Sequence, residues 1–324
     1  MKKGLQELLI SLLMCAIYPI LLFSVVLKIL PSNKLSETIP PVTTAVSNYE
    51  QLNVLLLVKD QTVQELPLET YIVSVVLREM PADFHIEALK AQAVVARTYT
   101  FRHMQGTGKH QTADVCVNSS CCQGYRSPEE YLSDGGTADK LAMVEKAVKD
   151  TAGQILVYDN EPIEATYFSC SGGNTEDAVA VWGSDVPYLK STESPGEENA
   201  THYTDTVQFS VSEAAKLLGL KINSDRDFKI GKVTYTDGGG VDTIFICGKK
   251  FQGTTVRKKL SLRSTAFVIT VAGSTVTVTT KGYGHRVGMS QYGADAMAAN
   301  GSDYRQILFH YYQGVEIVSM DGLY

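Results

Sequence analysis

The chain has 324 residues, of which 44% are hydrophobic, and its 29 basic and 35 acidic residues give a formal net charge of −6. A chain of this length can build one large or two ordinary domains around a substantial core, so it does not need disulfide bonds for stability. The acidic balance argues against nucleic acid as a partner.

The first 30 residues predict a membrane anchor. Leu8–Leu30 is an apolar run whose one charge is Lys28, and about 20 such residues can cross a bilayer. The run is longer than the core of a signal peptide and no clear cleavage site follows it, so we favour an anchor over a signal segment. Lys2 and Lys3 precede the run. The positive-inside rule therefore places the rest of the chain outside the cytoplasm.

The remaining chain divides into a spacer and a folded region. Residues 31–47 are rich in Ser, Thr and Pro and predict a tether. Residues 48–324 predict an α+β fold, with helical pairs around antiparallel sheet segments and a β-rich second lobe at about 205–281. In chain order the predicted elements are a hairpin at 52–63, helices at 67–80, 83–104 and 140–151, strands at 155–158 and 163–168, a helix at 212–218, antiparallel strands across 232–281, helices at 290–299 and 304–312, and a strand at 315–318.

The stretch Gly282–Ala294 has the composition of a binding site. It holds three glycines within seven residues, next to His285 and Arg286, and it precedes a helix that we expect to begin at Ser290. Glycines allow close approach of the backbone to a ligand, and a helix start offers free N–H donors. The alternative is a glycine-rich turn before an amphipathic helix.

Glu79 is a candidate general acid. It lies at the end of the helix predicted for 67–80, directly before Met80 and Pro81. Burial and the negative end of the helix dipole both raise the pKa of a carboxyl group at such a position, as acid catalysis near neutral pH requires. A solvated glutamate at a helix end is the alternative that spacing alone favours.

A cysteine cluster predicts a structural zinc site. His110, Cys116 and Cys122 are spaced by six and six residues in a polar segment, with Cys121 beside the last. Imidazole and thiolate groups suit zinc. A Cys116–Cys122 disulfide is the alternative outside the cytoplasm, but it gives Cys121 and His110 no role. Adjacent cysteines are awkward ligands, so His103 or water could replace Cys121.

Three separate motifs stand out along the chain. They are Arg78–Ala82 followed by Glu87–Tyr99, then Tyr167–Gly173, and finally Gly284–Gly293. Together they resemble the stage II sporulation protein D family. The motifs occur in the family's order, and the resemblance extends from about Tyr49 to the C-terminus.

The resemblance implies a peptidoglycan lytic transglycosylase acting at the sporulation septum during engulfment, alongside a membrane partner and an engulfment amidase that strips the stem peptides. Glu79 matches the family's catalytic acid/base, and no cofactor is implied for catalysis. One carboxyl group suffices because the C6 hydroxyl of N-acetylmuramic acid attacks its own anomeric carbon, whereas ordinary glycoside hydrolysis needs a second carboxylate.

The resemblance also implies a glycan groove. Aromatic faces stack on sugar rings, and hydroxyl, amide and guanidinium groups bond sugar oxygens; Trp182 is a further candidate platform, with a place in the core as its alternative. The matching positions are Lys90, Arg97, Tyr167, Ser169, Ser171, Gly172, Gly173, His285, Arg286, Gly288, Met289, Ser290 and Gln291.

Two other functions compete with this one. Related domains occur in non-catalytic peptidoglycan-binding proteins that enhance an amidase, so the fold does not guarantee cleavage. A cysteine hydrolase that uses Cys170, with His285 or His202 as its base, is the other alternative.

Overall fold

A computed structural model describes residues 48–59 and 61–322 of the chain. The predicted anchor and tether, residues 1–47, lie outside these described residues. Within the described part, no helix combines the length and apolar character needed to cross a membrane.

The described chain alternates helices with short strands. The helices are α1 (Leu68–Glu79), α2 (Ile86–Arg102), α3 (Pro128–Ser133), α4 (Ala138–Asp150), α5 (Ala178–Trp182), α6 (Val211–Leu218), α7 (Gly253–Lys259), α8 (Gln291–Ala299) and α9 (Tyr304–Tyr311). The strands are β1 (Asn53–Leu57), β2 (Val63–Pro67), β3 (Val115–Cys116), β4 (Gln154–Tyr158), β5 (Glu161–Pro162), β6 (Tyr167–Phe168), β7 (Thr204–Ser210), β8 (Ile230–Tyr235), β9 (Val241–Ile246), β10 (Lys249–Gln252), β11 (Ala266–Ala272), β12 (Thr275–Lys281), β13 (Met289–Ser290) and β14 (Glu316–Ser319).

The larger hydrophobic core forms around α2. Its alanines, among them Ala88, Ala93 and Ala96, are fully buried, and their small side chains let α1, α4, α8 and α9 pack against it. The sequence places the start of this helix at Asp83, but the residue that caps it is His85, whose Nδ1 accepts the N–H of Glu87 at 3.3 Å. The imidazole therefore satisfies one of the free N–H groups of the first turn.

A second hydrophobic core lies within the range for which the sequence predicts a β-rich lobe. It joins two three-stranded antiparallel sheets, ordered β11-β12-β7 and β10-β9-β8, to α6 and α7. Along β12 the buried residues Val276 and Val278 alternate with the half-buried Thr275 and Thr277, as expected for a strand with one face in the core. The predicted strands are confirmed here, but α7 interrupts them where the sequence predicts only β structure.

The chain returns from this lobe to pair with the strand that precedes it. β13 runs parallel to β6, with Met289 opposite Tyr167. β3 likewise pairs in parallel with β1. The α+β class is confirmed, but the sheets are not all antiparallel as predicted. The β6/β13 pair brings the second and third motifs of the sequence side by side.

Candidate active site

A cleft of about 990 Å³ opens where α1 ends and the paired β6 and β13 begin. This volume lies at the upper end of the range for ligand sites and can hold several sugar rings. Its walls are Leu77–Ala82, Tyr99, Ser119, Ser120, Cys122, Gln123, Arg126, Tyr131, Ala165–Ser169, His202, Arg257, Tyr283, Gly284, His285, Gln291 and Tyr292.

Glu79 is the last residue of α1 and lines this cleft. The helix ends there because Met80 is extended, with φ −122° and ψ 139°, as the residue before a proline prefers. The Glu79 carboxylate accepts hydrogen bonds from the N–H of Gly124 and from the Tyr167 hydroxyl. A Cβ at position 124 would lie only 2.8 Å from Glu79 Oε1. Glycine is therefore needed there for the backbone N–H to reach the carboxyl group.

The surroundings of Glu79 favour its protonated form. Burial raises the pKa of its carboxyl group, and the Gly124 N–H, the Arg78 guanidinium and the Tyr167 hydroxyl offset only part of that rise. Such a carboxyl group keeps its proton at a higher pH than an exposed glutamate does.

Gln291 fixes the end of α1 from the other side. Its Nε2 donates to the Glu79 carbonyl oxygen at 2.9 Å and to Gln92 Oε1 at 3.3 Å. The side chain is almost fully buried although it borders the cleft. Its observed contacts therefore hold the backbone of Glu79 in place.

Three further residues of the third motif, Gly288, Met289 and Ser290, lie outside the cleft wall. Gly288 has φ 82°, and a Cβ there would collide with the Thr166 carbonyl group. Met289 and Ser290 are fully buried, and Ser290 Oγ caps α8 by accepting the N–H of Gly293 at 3.3 Å. None of these three predicted binding residues lines the cleft.

The loop that follows β6 turns toward the protein interior. Glu197 Oε2 accepts hydrogen bonds from Ser171 N at 2.7 Å, Ser171 Oγ at 2.9 Å and Gly172 N at 3.0 Å. Gly173 N donates to Ser171 Oγ at 2.9 Å. These three predicted glycan contacts are therefore engaged in internal bonds and do not line the cleft.

Cys170 has the wrong environment for a nucleophile. Its thiol donates to Glu197 at 3.1 Å, and burial together with that carboxylate raises the pKa of the thiol to about 12. The nucleophile of a cysteine hydrolase needs a lowered thiol pKa. The predicted partner His285 instead bonds the N–H of Val287 through Nδ1 at 3.1 Å. The geometry therefore gives the cysteine hydrolase no support.

Arg286 lies in the interior, 2% exposed. It donates to the carbonyl oxygens of Ser171, Asn174 and Gly238, each at 2.7 Å, and its Nη1 lies 3.1 Å from Glu176 Oε1. All of these groups are internal. The side chain therefore joins loops of the fold, and its predicted contact with glycan has no geometric basis.

Lys90 and Arg97, the two predicted glycan-binding residues of the first motif, are also paired away from the cleft. Arg97 is fully buried and makes a two-pronged ion pair with Glu69, at 2.8 and 2.6 Å. Lys90 Nζ lies 2.8 Å from Glu87 and 3.3 Å from Asp150. Both side chains tie α2 to its neighbours instead of lining the groove.

An aromatic group continues from the mouth of the cleft. The ring of His285 lies 5.3 Å from that of Trp182 and 5.6 Å from that of Phe168. Trp182 is 45% exposed and Tyr283 43%, so the core alternative for Trp182 is wrong. Exposed rings at a groove suit the faces of sugars.

Sequence reasoning missed Gly124 as the donor to Glu79, and it missed Arg126 and Arg257 as residues that line the cleft. The first two lie in an aperiodic segment, and Arg257 lies on the unpredicted helix α7. The three cysteines between Cys116 and Gly124 are the one signal that marks this aperiodic segment.

The four predicted zinc ligands converge. The nitrogen of His110 and the sulfurs of Cys116, Cys121 and Cys122 all lie within 4.8 Å of one another. His110 Nε2 is 3.7 Å from Cys121 Sγ and 3.4 Å from Cys122 Sγ, and these two sulfurs are 3.9 Å apart. Ligand atoms of a tetrahedral zinc lie roughly 3.5–3.8 Å apart. The donors present therefore fit a structural zinc ion, including both adjacent cysteines.

The alternatives at this cluster fare worse. The three cysteines are free thiols. His103 bonds the Tyr99 carbonyl oxygen through Nδ1 at 2.8 Å and does not join the group.

The cluster also borders the cleft, because Cys122 lines it and Gly124 contacts Glu79. Between them, Gln123 Nε2 donates to the Tyr167 hydroxyl at 3.3 Å.

Comparison with known proteins gives matches that cover most of the chain. Residues 58–158 match the family model described as "Stage II sporulation protein". The chain is 42% identical over 268 residues to the stage II sporulation protein D of Bacillus amyloliquefaciens, a match that covers 81% of this chain and 77% of that protein. It is 40% identical over 297 residues to the protein of that name from Bacillus subtilis (strain 168), covering 90% and 84%.

The chain therefore belongs to the stage II sporulation protein D family, as its three motifs predict. A more distant relative carries a different name. The chain is 30% identical over 299 residues to a Bacillus subtilis (strain 168) protein named "Amidase enhancer", covering 76% of this chain and 40% of that protein.

Proposed function

We propose that this protein is a peptidoglycan lytic transglycosylase that cleaves the bonds between N-acetylmuramic acid and N-acetylglucosamine in denuded glycan strands. Family membership supports a role in sporulation, in which the enzyme degrades septal peptidoglycan during engulfment. The proposal rests on the position and the protonation of Glu79. It is the one carboxyl group among the described residues that line the cleft, and burial raises its pKa.

The chemistry requires one group that gives and then regains a proton. The Glu79 carboxyl group donates its proton to the glycosidic oxygen as the bond from that oxygen to the anomeric carbon breaks. The C6 hydroxyl of the same muramic acid forms a new bond to that carbon and returns its proton to the Glu79 carboxylate. The products are a free hydroxyl end and a 1,6-anhydro end, and no water is consumed.

The cleft composition favours this reaction over hydrolysis. Hydrolases with an inverting or retaining mechanism use a second carboxylate about 5–10 Å from the first. Within residues 48–59 and 61–322, no second carboxylate lines this cleft. The Gly124 N–H stabilises the anionic form of Glu79 between the two proton transfers.

The test is mass spectrometry of denuded glycan strands after incubation with the full chain in detergent. We expect anhydro-muramic termini to accumulate with time. Their absence on every denuded strand, together with stimulation of an amidase, would replace the enzyme with a peptidoglycan-binding enhancer. The relative named "Amidase enhancer" makes this the second candidate.

We further propose that His110, Cys116, Cys121 and Cys122 hold a structural zinc ion. When bound, the ion would fix the segment that supplies Gln123 and Gly124 to the site, without entering the reaction. We expect about one zinc per chain by elemental analysis, and loss of the metal in Cys116→Ser. A Cys116–Cys122 disulfide in protein prepared anaerobically with zinc present would contradict this.

Residues 1–30 are proposed to anchor the protein with the cleft outside the cytoplasm, where it would meet septal glycan, the engulfment amidase and a membrane partner. Lys2 and Lys3 before the apolar run support this orientation. Protease added to intact protoplasts should digest the folded region. Complete protection of the folded region would contradict the orientation.

A further inference from the structure

The cleft is cationic although the protein is acidic. Arg78, Arg126 and Arg257 line it, and Glu79 is the one carboxyl group among its described lining residues. Glu79 is also the group that must carry a proton for the proposed reaction. The cleft therefore presents net positive charge, while the whole chain has a net charge of −6. A groove for a neutral polysaccharide has no need of this arrangement.

The three arginines differ in how their charge is balanced. Arg126 Nη2 lies 2.8 Å from Asp134, which neutralises it. Arg78 is exposed and adjacent to Glu79 in sequence. Arg257 is half-buried, and within the described chain no carboxylate lies at ion-pair distance from it. Of the three, Arg257 therefore combines partial burial with an uncompensated charge.

The structure holds Arg257 in place through neutral groups. Its Nε donates to the Leu262 carbonyl oxygen at 3.4 Å and its Nη2 to the Arg263 carbonyl oxygen at 3.0 Å. Arg263 next to it is compensated, because its Nε lies 3.3 Å from Asp205. Two backbone anchors orient the guanidinium group of Arg257 without neutralising it. They leave it free to pair with an anionic ligand in the cleft.

The electrostatic surroundings agree with this description. Burial lowers the pKa of Arg257, and burial followed by the nearby Arg257 charge lowers the pKa of His285 to about 4. His285 is therefore neutral, and Arg257 remains charged because guanidinium groups do not deprotonate in proteins. A partly desolvated cation without a partner is costly, and a carboxylate ligand offsets that cost through charge-assisted hydrogen bonds.

We propose that Arg257 binds the lactyl carboxylate of N-acetylmuramic acid and thereby selects strands from which the stem peptides have been removed. This inference rests on the proposed function, because it concerns the substrate of the same cleft. In a peptide-bearing strand the lactyl carboxyl group is an amide and carries no charge. In a denuded strand it is a carboxylate, so the fork of Arg257 distinguishes the two at the sugar itself.

The test compares three substrates with the full chain in detergent. They are denuded strands, the same strands with their lactyl carboxylates converted to methylamides, and peptide-bearing strands. Binding and the formation of anhydro ends are measured separately for the wild type, for Arg257→Gln and for Lys258→Gln. Lys258 is the matched control, since it is the next residue of α7, is exposed and does not line the cleft.

We expect the wild type to bind carboxylate strands about tenfold more tightly than methylamide strands. Arg257→Gln should remove this preference and leave the affinity for methylamide strands unchanged, while Lys258→Gln should behave as the wild type. Arg257→Lys, which keeps the charge without the fork, should retain part of the preference. This second variant also serves if Arg257→Gln does not fold.

Three results would overturn the proposal. The first is equal affinity of the wild type for carboxylate and methylamide strands, and the second is an equal loss of affinity for both strands in Arg257→Gln. The third is an equal loss of affinity for peptide-bearing strands in Arg257→Gln, which would assign Arg257 to peptide carboxylates. Failure of the proposed reaction is distinguishable, because it would abolish anhydro ends while the binding preference remained.

Discussion

Glu79 and Glu176 are both glutamates whose burial favours the protonated carboxyl group, but only Glu79 borders the cleft. Burial raises the pKa of both carboxyl groups. Glu176 is 1% exposed, and its Oε1 accepts from Gly240 N and Thr236 Oγ1, each at 3.0 Å, and from Arg286 at 3.1 Å. Glu79 borders an open cleft, and the Arg78 guanidinium group, which lowers its pKa, is itself exposed.

A raised pKa therefore does not by itself identify a catalytic acid. At Glu176 the carboxylate is bound inside the protein and no ligand can reach it. Its hydrogen bonds therefore serve to join loops of the fold. At Glu79 the carboxyl group can exchange its proton with a molecule in the cleft. Access, together with a pKa above the ordinary range, makes the second glutamate the functional candidate.

Replacing each glutamate by glutamine separates their roles directly. Glu79→Gln should lower the formation of anhydro ends by about 10²–10⁴-fold, because an amide cannot pass a proton at this step. Glycan binding should persist. Glu176→Gln should reduce activity only through the fraction of folded protein. Mass spectrometry of glycan products, normalised to folded protein by circular dichroism, measures both, with the exposed Glu145→Gln as control. Equal activity of Glu79→Gln and the wild type would remove the acid/base assignment.

The next effect concerns stability. Arg286→Met should lower the free energy of unfolding by about 3–5 kcal/mol, because it leaves the Glu176 carboxylate buried without its cation. The double variant with Glu176→Gln should be less destabilised than the sum of the two single variants. Urea unfolding gives these values. A wild-type free energy of unfolding combined with weaker glycan binding would instead restore the binding role that the sequence predicts for Arg286.

Glu79 and Arg286 show how far the sequence predicts the site. The motif around Glu79 identifies a carboxyl group at a helix end, and the periodicity of its neighbours places that end correctly. The same motifs assign Arg97 and Arg286 to the glycan. Their partners Glu69 and Glu176 lie 28 and 110 residues away. No local pattern reveals such pairs, since they depend on tertiary packing.

In the segment from Cys116 to Gly124 the sequence predicts the side-chain cluster but misses a backbone donor. Its composition predicts the metal cluster, and the four side chains do converge. The sequence gives no sign that the same segment supplies the N–H that meets Glu79, because a backbone donor has no residue type of its own. Gly124 is recognisable only when the space around it is known.

A smaller effect should follow from disturbing that donor. Gly124→Ala puts a methyl group 2.5 Å from Arg78 Cγ and 2.8 Å from Glu79 Oε1, so both side chains must shift. We expect a roughly tenfold to hundredfold lower kcat with little change in KM, because displacement affects the proton transfer more than strand binding. Gly231→Ala, on β8 away from the cleft, is the control for a generic glycine effect, because Gly231 has no positive φ and its added Cβ approaches no atom closer than 3.1 Å. An unchanged kcat in Gly124→Ala would show that the N–H does not position the acid.

The smallest effect is the dependence of stability on pH. Because the pKa of Glu79 is raised in the folded protein, the unfolded chain loses this proton first as the pH rises. The contribution of Glu79 is therefore fully present below the ordinary glutamate range and is lost as the pH passes through its raised pKa. In Glu79→Gln this fall should be absent, so the variant gains stability relative to the wild type toward neutral pH, whereas Glu145→Gln should follow the wild-type curve. Urea unfolding across that pH range measures the difference. A constant difference between the wild type and Glu79→Gln would show that Glu79 titrates as an ordinary exposed glutamate, and its contrast with Glu176 would then rest on access alone.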